Sequence, residues 1–264
     1  MDSTRRRFLQ IAGLSVLGLG VKPAIDALAQ SGQPEFVHGP QALTGKRWGM
    51  VVDQKKCLKA KEGCKLCVDA CHRVHNVPSM DNPKHEVKWI WQTPFDQAFP
   101  DSENEYMKEF VQDSMKGLPF IVLCNHCDNP PCVRVCPTKA TFRRPDGIVM
   151  MDYHRCIGCR YCMAACPYGA RSLNWRDPRP FIKTELDRDY PTRTRGVVEK
   201  CTFCDERLAK GLMPACVDAC KEYKALVFGD LGDPKSEVRE LLRQNPSFRR
   251  KPQLGTQPSV YYIV

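Results

Sequence analysis

Four short runs of apolar and β-branched residues recur along the chain: GMVV at 49–52, FIVL at 120–123, GIVMMD at 147–152 and GVV at 196–198. Each is followed by polar and turn-forming residues. Runs this short read as strands, because an amphipathic helix needs apolar positions at three- and four-residue spacing over a longer stretch. The pattern predicts four strand–loop–helix units, an internal repeat that sets the architecture. Between the units, Trp89 and Trp91 alternate with polar neighbours as in a half-buried strand. SENEYMKEFVQDSM over 102–115 predicts a helix, with Ser102 and Glu105 as a capping box ahead of Tyr106, Phe110 and Met115. Its apolar face would pack on the body or serve as a docking surface. Residues 171–196 are polar and interrupted by proline, and so predict a surface loop. Asp233-Pro234 opens a last amphipathic helix through Val238, Leu241 and Leu242. The tail KPQLGTQPSVYYIV reads as an extended arm.

Composition adds a constraint. Of 264 residues, 42% are hydrophobic, and 21 prolines with 17 glycines imply much loop. A small core with long loops must be held together by something besides apolar burial. Net charge is +10, from 40 basic and 30 acidic residues. No concentrated basic stripe appears outside the ends, which argues against nucleic-acid binding and leaves a solvated basic surface or a face toward an acidic partner.

The first 29 residues read as an export signal rather than as part of the fold. Arg5 and Arg6 precede eleven mostly apolar or small residues, Ile11–Val21, and ALA at 27–29 offers a cleavage site. Eleven residues fall short of the roughly 20 needed to span a bilayer. Thr4-Arg5-Arg6-Arg7-Phe8-Leu9 resembles the twin-arginine signal, which exports folded proteins; a Sec signal or a lipid-surface anchor is the alternative. No later stretch reaches about 18 apolar residues, so the mature chain is expected to be soluble unless a partner holds it to the membrane. With the export signal, the expectation is a periplasmic chain held at the membrane by partners.

The chemistry lies in sixteen cysteines, four after each strand, with a short helix expected to begin near the fourth cysteine of each group. Group one is Cys57, Cys64, Cys67 and Cys71; group two is Cys124, Cys127, Cys132 and Cys136; group three is Cys156, Cys159, Cys162 and Cys166; group four is Cys201, Cys204, Cys216 and Cys220. Cys-x-x-Cys-x-x-Cys puts three thiols on one tight loop, where they converge on a common centre and pair poorly as disulfides. A tetrahedral zinc site does not account for a third loop cysteine and a fourth before proline. A 4Fe–4S cubane accounts for all of it: three thiolates come from the loop, and the fourth cysteine serves the other cluster of a pair. Group three, CIGCRYCMAACP, matches that run without a gap. Groups two and four have longer gaps before the third cysteine, and group one has six residues between its first two, CLKAKEGC. Sixteen thiols would hold four clusters, and the widened first group makes its cluster the main departure from the repeat.

Histidines beside the ligands, His72 and His126, read as neighbours that tune a cluster, since the thiols fill every position. Arg155 and Arg160 flank group three, where a cation would favour the reduced cluster. No phosphate loop, nucleophile elbow or metal-site helix appears, so no substrate site is expected and the clusters look like a wire. A stand-alone reductase or a metal-storage protein stays open as the other class.

CNHCDNPPCVRVCP, CIGCRYCMAACPYGAR and CTFCDERLAKGLMPACVDAC resemble the iron–sulfur subunits of the dimethyl sulfoxide and polysulfide reductase family, over roughly residues 45–262. The resemblance implies an α+β fold of two bacterial-ferredoxin-like modules with a long insertion and a C-terminal helix and arm. It implies an outer module from 30–123 and 171–264 around an inner one at 124–170. It implies crossed ligand sets: Cys57, Cys64 and Cys67 with Cys220; Cys201, Cys204 and Cys216 with Cys71; Cys124, Cys127 and Cys132 with Cys166; Cys156, Cys159 and Cys162 with Cys136. Within the family, CLKAKEGCKLCVDACHRVHNVP and SLNWRDPRPF are most similar to DsrO, the periplasmic iron–sulfur subunit of the Dsr transmembrane complex of sulfur-metabolising prokaryotes. That likeness implies electron transfer rather than catalysis, with an integral quinone-interacting subunit and a c-type cytochrome as partners. The alternative is the corresponding subunit of a formate-dependent nitrite reductase or another molybdopterin-type reductase.

Overall fold

The computed structural model describes residues 39–60, 63–100 and 118–264, so the expected export signal and the helix expected over 102–115 lie outside the described residues. In chain order the described elements are β1 (Trp48–Asp53), α1 (Gln54–Leu58), α2 (Leu66–Val74), β2 (Ile90–Thr93), α3 (Phe95–Ala98), β3 (Phe120–Leu123), α4 (Pro131–Arg134), β4 (Thr141–Arg143), β5 (Val149–Met151), α5 (Tyr161–Ala165), β6 (Ser172–Leu173), β7 (Val198–Glu199), α6 (Asp205–Leu208), α7 (Ala215–Ala219), β8 (Leu226–Asp230), α8 (Glu237–Gln244) and β9 (Val260–Ile263). None of the described helices is long and apolar enough to cross a membrane.

β1 is the centre of a three-stranded sheet. It runs antiparallel to β8, with Val51 opposite Val227, and parallel to β9, with Val51 opposite Tyr261. A strand paired on both edges and covered on both faces has no need of polar alternation, which is why WGMVVD is buried throughout. Met50 and Val52 face the main core, while Val51 packs with Val227, Val238 and Ile263. The tail expected as an extended arm is extended and supplies a sheet edge, and the helix ahead of it begins at Glu237, after the turn that Asp233-Pro234 makes. The remaining strands form two-stranded antiparallel pairs: β2 with β3, β4 with β5, and β6 with β7.

β1, β3, β5 and β7 are the strands read from the four apolar runs. The short helices differ from expectation. Each carries the third cysteine of its group, and in groups two to four it ends before the fourth. In group three the reason is local. Cys166 precedes Pro167, and a residue before proline is driven out of the helical region; its ψ is 110°. Groups one and four lack that proline: α2 runs on past Cys71 to Val74, whereas α7 stops at Ala219.

Two further expectations change. Trp89 lies ahead of β2 and is fully buried, while Trp91 is half-buried, so the pair does not alternate across a strand. The segment 171–196 is not simply a surface loop, because Arg171, Ser172, Asn174, Tyr190 and Arg193 are buried. Ser172, Asn174 and Arg193 each go inside with a partner for at least one polar atom. Arg193 Nη2 lies 2.6 Å from Glu199 Oε2, which also accepts from Trp89 Nε1 at 2.9 Å, and Asn174 donates to the other carboxylate oxygen. Asn76 holds the loop from outside, donating to the carbonyls of Asp187 and Tyr190. Phe99 ties the insertion to the C-terminal strand, its ring 4.9 Å from Phe248 and 5.1 Å from Tyr262.

Replacing Glu199 by alanine strands the buried Arg193 charge and orphans the Trp89 and Asn174 donors. The expected loss is about 3–5 kcal/mol, read as an earlier loss of far-ultraviolet and visible signal on heating. An unchanged midpoint would mean that Arg193 finds another partner.

Candidate metal centres

The residue directly before the second cysteine is left-handed in all four groups: Gly63 (φ +70°), His126 (φ +39°), Gly158 (φ +68°) and Phe203 (φ +56°). That turn reverses the loop so that neighbouring thiols face one side. Glycine adopts it freely, and at Gly158 a side chain is also excluded by space, since a Cβ would lie 2.3 Å from the Gly196 carbonyl oxygen. A histidine or phenylalanine there carries strain of about 1–3 kcal/mol. His126 and Phe203 are held in it by stacking on each other, their ring centroids 3.7 Å apart. In group one the turn is retained at Gly63, so the widened gap lengthens the approach from Cys57 without altering the loop at Cys64. Cys57 itself sits on α1, whose N-terminus is capped by the Asp53 carboxylate accepting from Lys56 N.

The sixteen cysteines carry no disulfide and come together in four sets that cross between groups. Cys57, Cys64, Cys67 and Cys220 line one cavity (set A). Cys71 lies among Cys201, Cys204 and Cys216 (set B). Cys127 lies with Cys124, Cys132 and Cys166 (set C). Cys136, Cys156, Cys159 and Cys162 line a second cavity (set D).

Burial, and then the neighbouring thiols, push Cys57 up to about 11 and Cys67 to about 12. The same causes hold Cys127 at about 12, and raise Cys71, Cys204 and Cys216 well above the ordinary thiol value. Four thiolates cannot share such a space unless a positive centre joins them. The backbone has already turned donors toward the sulfurs: Phe203 N donates to Cys201 Sγ and Ala215 N to Cys204 Sγ, both at 3.4 Å. At Cys136, where burial alone would raise the thiol, the N–H groups of Thr141, Thr138 and Ala140 with the Thr138 hydroxyl hold it below its usual value. Crowded soft donors with N–H groups aimed at their sulfurs fit an iron–sulfur cubane.

The sets also stand in order. Cys67 of set A acts on Cys71 and Cys216 of set B; Cys124 of set C acts on Cys201 of set B; Cys132 of set C acts on Cys162 of set D. The sequence A–B–C–D is therefore linear. All four thiols of set B are buried and three of set C, whereas three of each end set are partly exposed.

At the B–C junction stands the His126–Phe203 stack. His126 Nδ1 accepts from Val149 N at 3.1 Å, so its proton is on Nε2; burial, then Lys200, push its pKa far down and keep it neutral. Lys200 is itself fully buried, capped by the carbonyls of Val149 and Cys201. His75, which the sequence offered no reason to single out, is buried beside set B, with Nδ1 2.8 Å from the Cys71 carbonyl and Nε2 3.0 Å from Glu206 Oε1. Of the two arginines expected to act on group three, Arg155 pairs with Asp152 in solvent, while Arg160 lines the cavity of set D with its guanidinium over Trp175. The arginine that reaches a thiol is Arg171, whose Nη2 donates to Cys132 Sγ at 3.1 Å.

Models of the 4Fe-4S dicluster domain match residues 116–181 and 155–226. Iron–sulfur subunit 1 of the Hdr-like menaquinol oxidoreductase of Archaeoglobus fulgidus is 42% identical over 98% of this chain and 97% of its own length. A tetrathionate reductase subunit of Salmonella typhimurium is 37% identical over 100% of this chain and 89% of its own length, and protein NrfC of Escherichia coli is 37% identical over 100% and 96%. The chain belongs to the iron–sulfur subunits of the dimethyl sulfoxide and polysulfide reductase family. As a member of that family it is an electron-transfer subunit of a reductase complex, and not the catalytic one. It has the α+β build and the 4Fe–4S cofactor type of the dicluster domains.

The crossed grouping makes a sharp expectation for single cysteine variants. Cys57→Ser and Cys220→Ser should lose the same cluster signal in electron paramagnetic resonance, and Cys71→Ser should match Cys204→Ser instead, each losing up to about four iron atoms. A Cys220→Ser spectrum that matches Cys204→Ser would break the grouping.

Proposed function

We propose that this chain relays single electrons through four 4Fe–4S clusters between an integral quinone-interacting subunit and a c-type cytochrome, on the periplasmic side of the membrane, in dissimilatory sulfur metabolism. The sixteen cysteines ligate the clusters in sets A to D, and Cys57, Cys64, Cys67 and Cys220 form a complete fourth site. The observation that carries the reading is the linear order of the sets, with the middle two closed and the end two partly open. Bound clusters supply one-electron chemistry at potentials the protein sets. The chain's own residues do the rest. The His126–Phe203 stack and Lys200 close the B–C junction, the left-handed turns hold the thiols inward, and the partly exposed Cys57, Cys64 and Cys220 at one end and Cys136, Cys156 and Cys159 at the other put each terminal site within reach of a partner.

The twin-arginine-like start supports export with clusters inserted, and the menaquinol oxidoreductase named for the Archaeoglobus relative supports a quinone-linked partner. The full-length matches to protein NrfC and to the tetrathionate reductase relative favour a second reading, in which the same wire serves a nitrite or other molybdopterin-type reductase.

Two measurements test the proposal. The isolated holoprotein should contain about sixteen iron and sixteen sulfide per chain; zinc as the dominant metal, or thiols that react without denaturation, would overturn the assignment. Solubilised membranes should yield the chain in a complex with an integral membrane protein whose quinol reduces the clusters. Mature chain found wholly free in the periplasm, with clusters that quinol in membranes leaves oxidised, would leave a free ferredoxin-like carrier in place of the complex.

A further inference from the structure

Arg171 is a buried cation whose compensation lies in sulfur. Its residue is 4% exposed. Nη2 donates to Cys132 Sγ at 3.1 Å, and Nη1 donates to Thr141 Oγ1 at 3.0 Å with Met151 Sδ at 3.8 Å. Among the described residues no carboxylate pairs with it, although the same chain pairs the equally buried Arg193 with Glu199 at 2.6 Å. An unpaired buried guanidinium is costly, so a site that tolerates one must offer negative charge of another kind. The sulfurs within its field are Cys132, Cys124 and Cys166 of set C together with Cys162 of set D.

We propose that Arg171 is a positioning residue that sets the reduction potentials of two neighbouring clusters together, as one buried charge shared by sets C and D. The inference rests on the reading that these sets hold clusters. Each accepted electron makes a cluster more negative, and a fixed cation against a ligand sulfur stabilises the reduced form more than the oxidised one. A donor N–H at the same sulfur acts in the same direction. Arg171 lies between the two sets, so it favours reduction of each and offsets the repulsion between them when both are reduced. Arg155, with 67% of its side chain in solvent, is screened from any such role.

The test uses the holoprotein carrying Arg171→Gln or Arg171→Lys, with iron and sulfide analysis and a potentiometric titration followed by electron paramagnetic resonance. Arg171→Gln should keep wild-type iron while two of the potentials fall, each by about tenfold in the ratio of reduced to oxidised cluster at a fixed potential, or about 59 mV for one electron. The other two should stay in place, and Arg171→Lys should restore most of the shift. Fully loaded Arg171→Gln protein with unmoved potentials, or with all four moved equally, would overturn the proposal. If the glutamine variant fails to load iron, the lysine variant decides: wild-type iron and potentials support the charge, and failure to load in both makes Arg171 purely structural and sinks the idea. Wild-type protein that lacks the iron of sets C and D would instead defeat the underlying reading, and the iron analysis alone identifies that case.

Discussion

Everything in this molecule answers to one constraint: sixteen thiols must meet in fours, and no four that meet are neighbours in sequence. Each set takes three sulfurs from one loop and the fourth from another. Cys57 meets Cys220, and Cys71 meets Cys204, only if the beginning and end of the fold are brought side by side. The pairing of β1 with β8 and β9 does this, since β1 leads into group one and β8 leaves group four. α2 and α7 then carry Cys67 and Cys216 toward the same place. The sheet is small because its task is to align two loops rather than to form a broad core.

That arrangement changes what the core is made of. Cys67, Cys71, Cys124, Cys127, Cys201 and Cys216 belong to the main apolar cluster together with Trp89, Phe120 and Tyr262. A core lined with thiols forced close together is incomplete alone, because burial and mutual repulsion keep those thiols from ionising until a cationic centre binds. Cofactor binding would then contribute to folding, as in metal sites generally. The strained loop positions fit the same logic. His126 and Phe203 hold conformations that ordinary side chains avoid, and each offsets the other's strain by stacking.

Buried charge is managed in two different ways. Arg193 is matched by a carboxylate, Glu199, and serves to pack a loop against the body. Arg171 and Lys200 have other company, sulfur for one and backbone carbonyls for the other, and both stand at junctions between adjacent thiol sets. Arg171 and Lys200 thus stand where electron traffic would pass, while the Arg193–Glu199 pair holds a loop in place.

Much of this was legible in the chain itself. Cysteine spacing reports chemistry directly, because three thiols on one loop are brought together by the loop's own geometry, and the short apolar runs before them had to be strands. Family motifs supplied the crossing of the fourth cysteines, which spacing by itself does not reveal. Proline after Cys166 stops the helix by a local steric rule, so the helix expected to begin near that cysteine ends before it instead. What remained hidden depended on contacts between distant residues. Nothing in RSLNWRDPRPF announces that Arg171 goes inside, because a buried arginine and a solvated one look the same until its partner sulfur is in place. Nor does KPQLGTQPSVYYIV declare itself a sheet edge, since a strand's partner is chosen by the free hydrogen-bonding edge it meets, here that of β1. The residue types and their spacing determined which chemistry this protein holds; only the tertiary structure decided which thiols stand next to which, and where the charges between them lie.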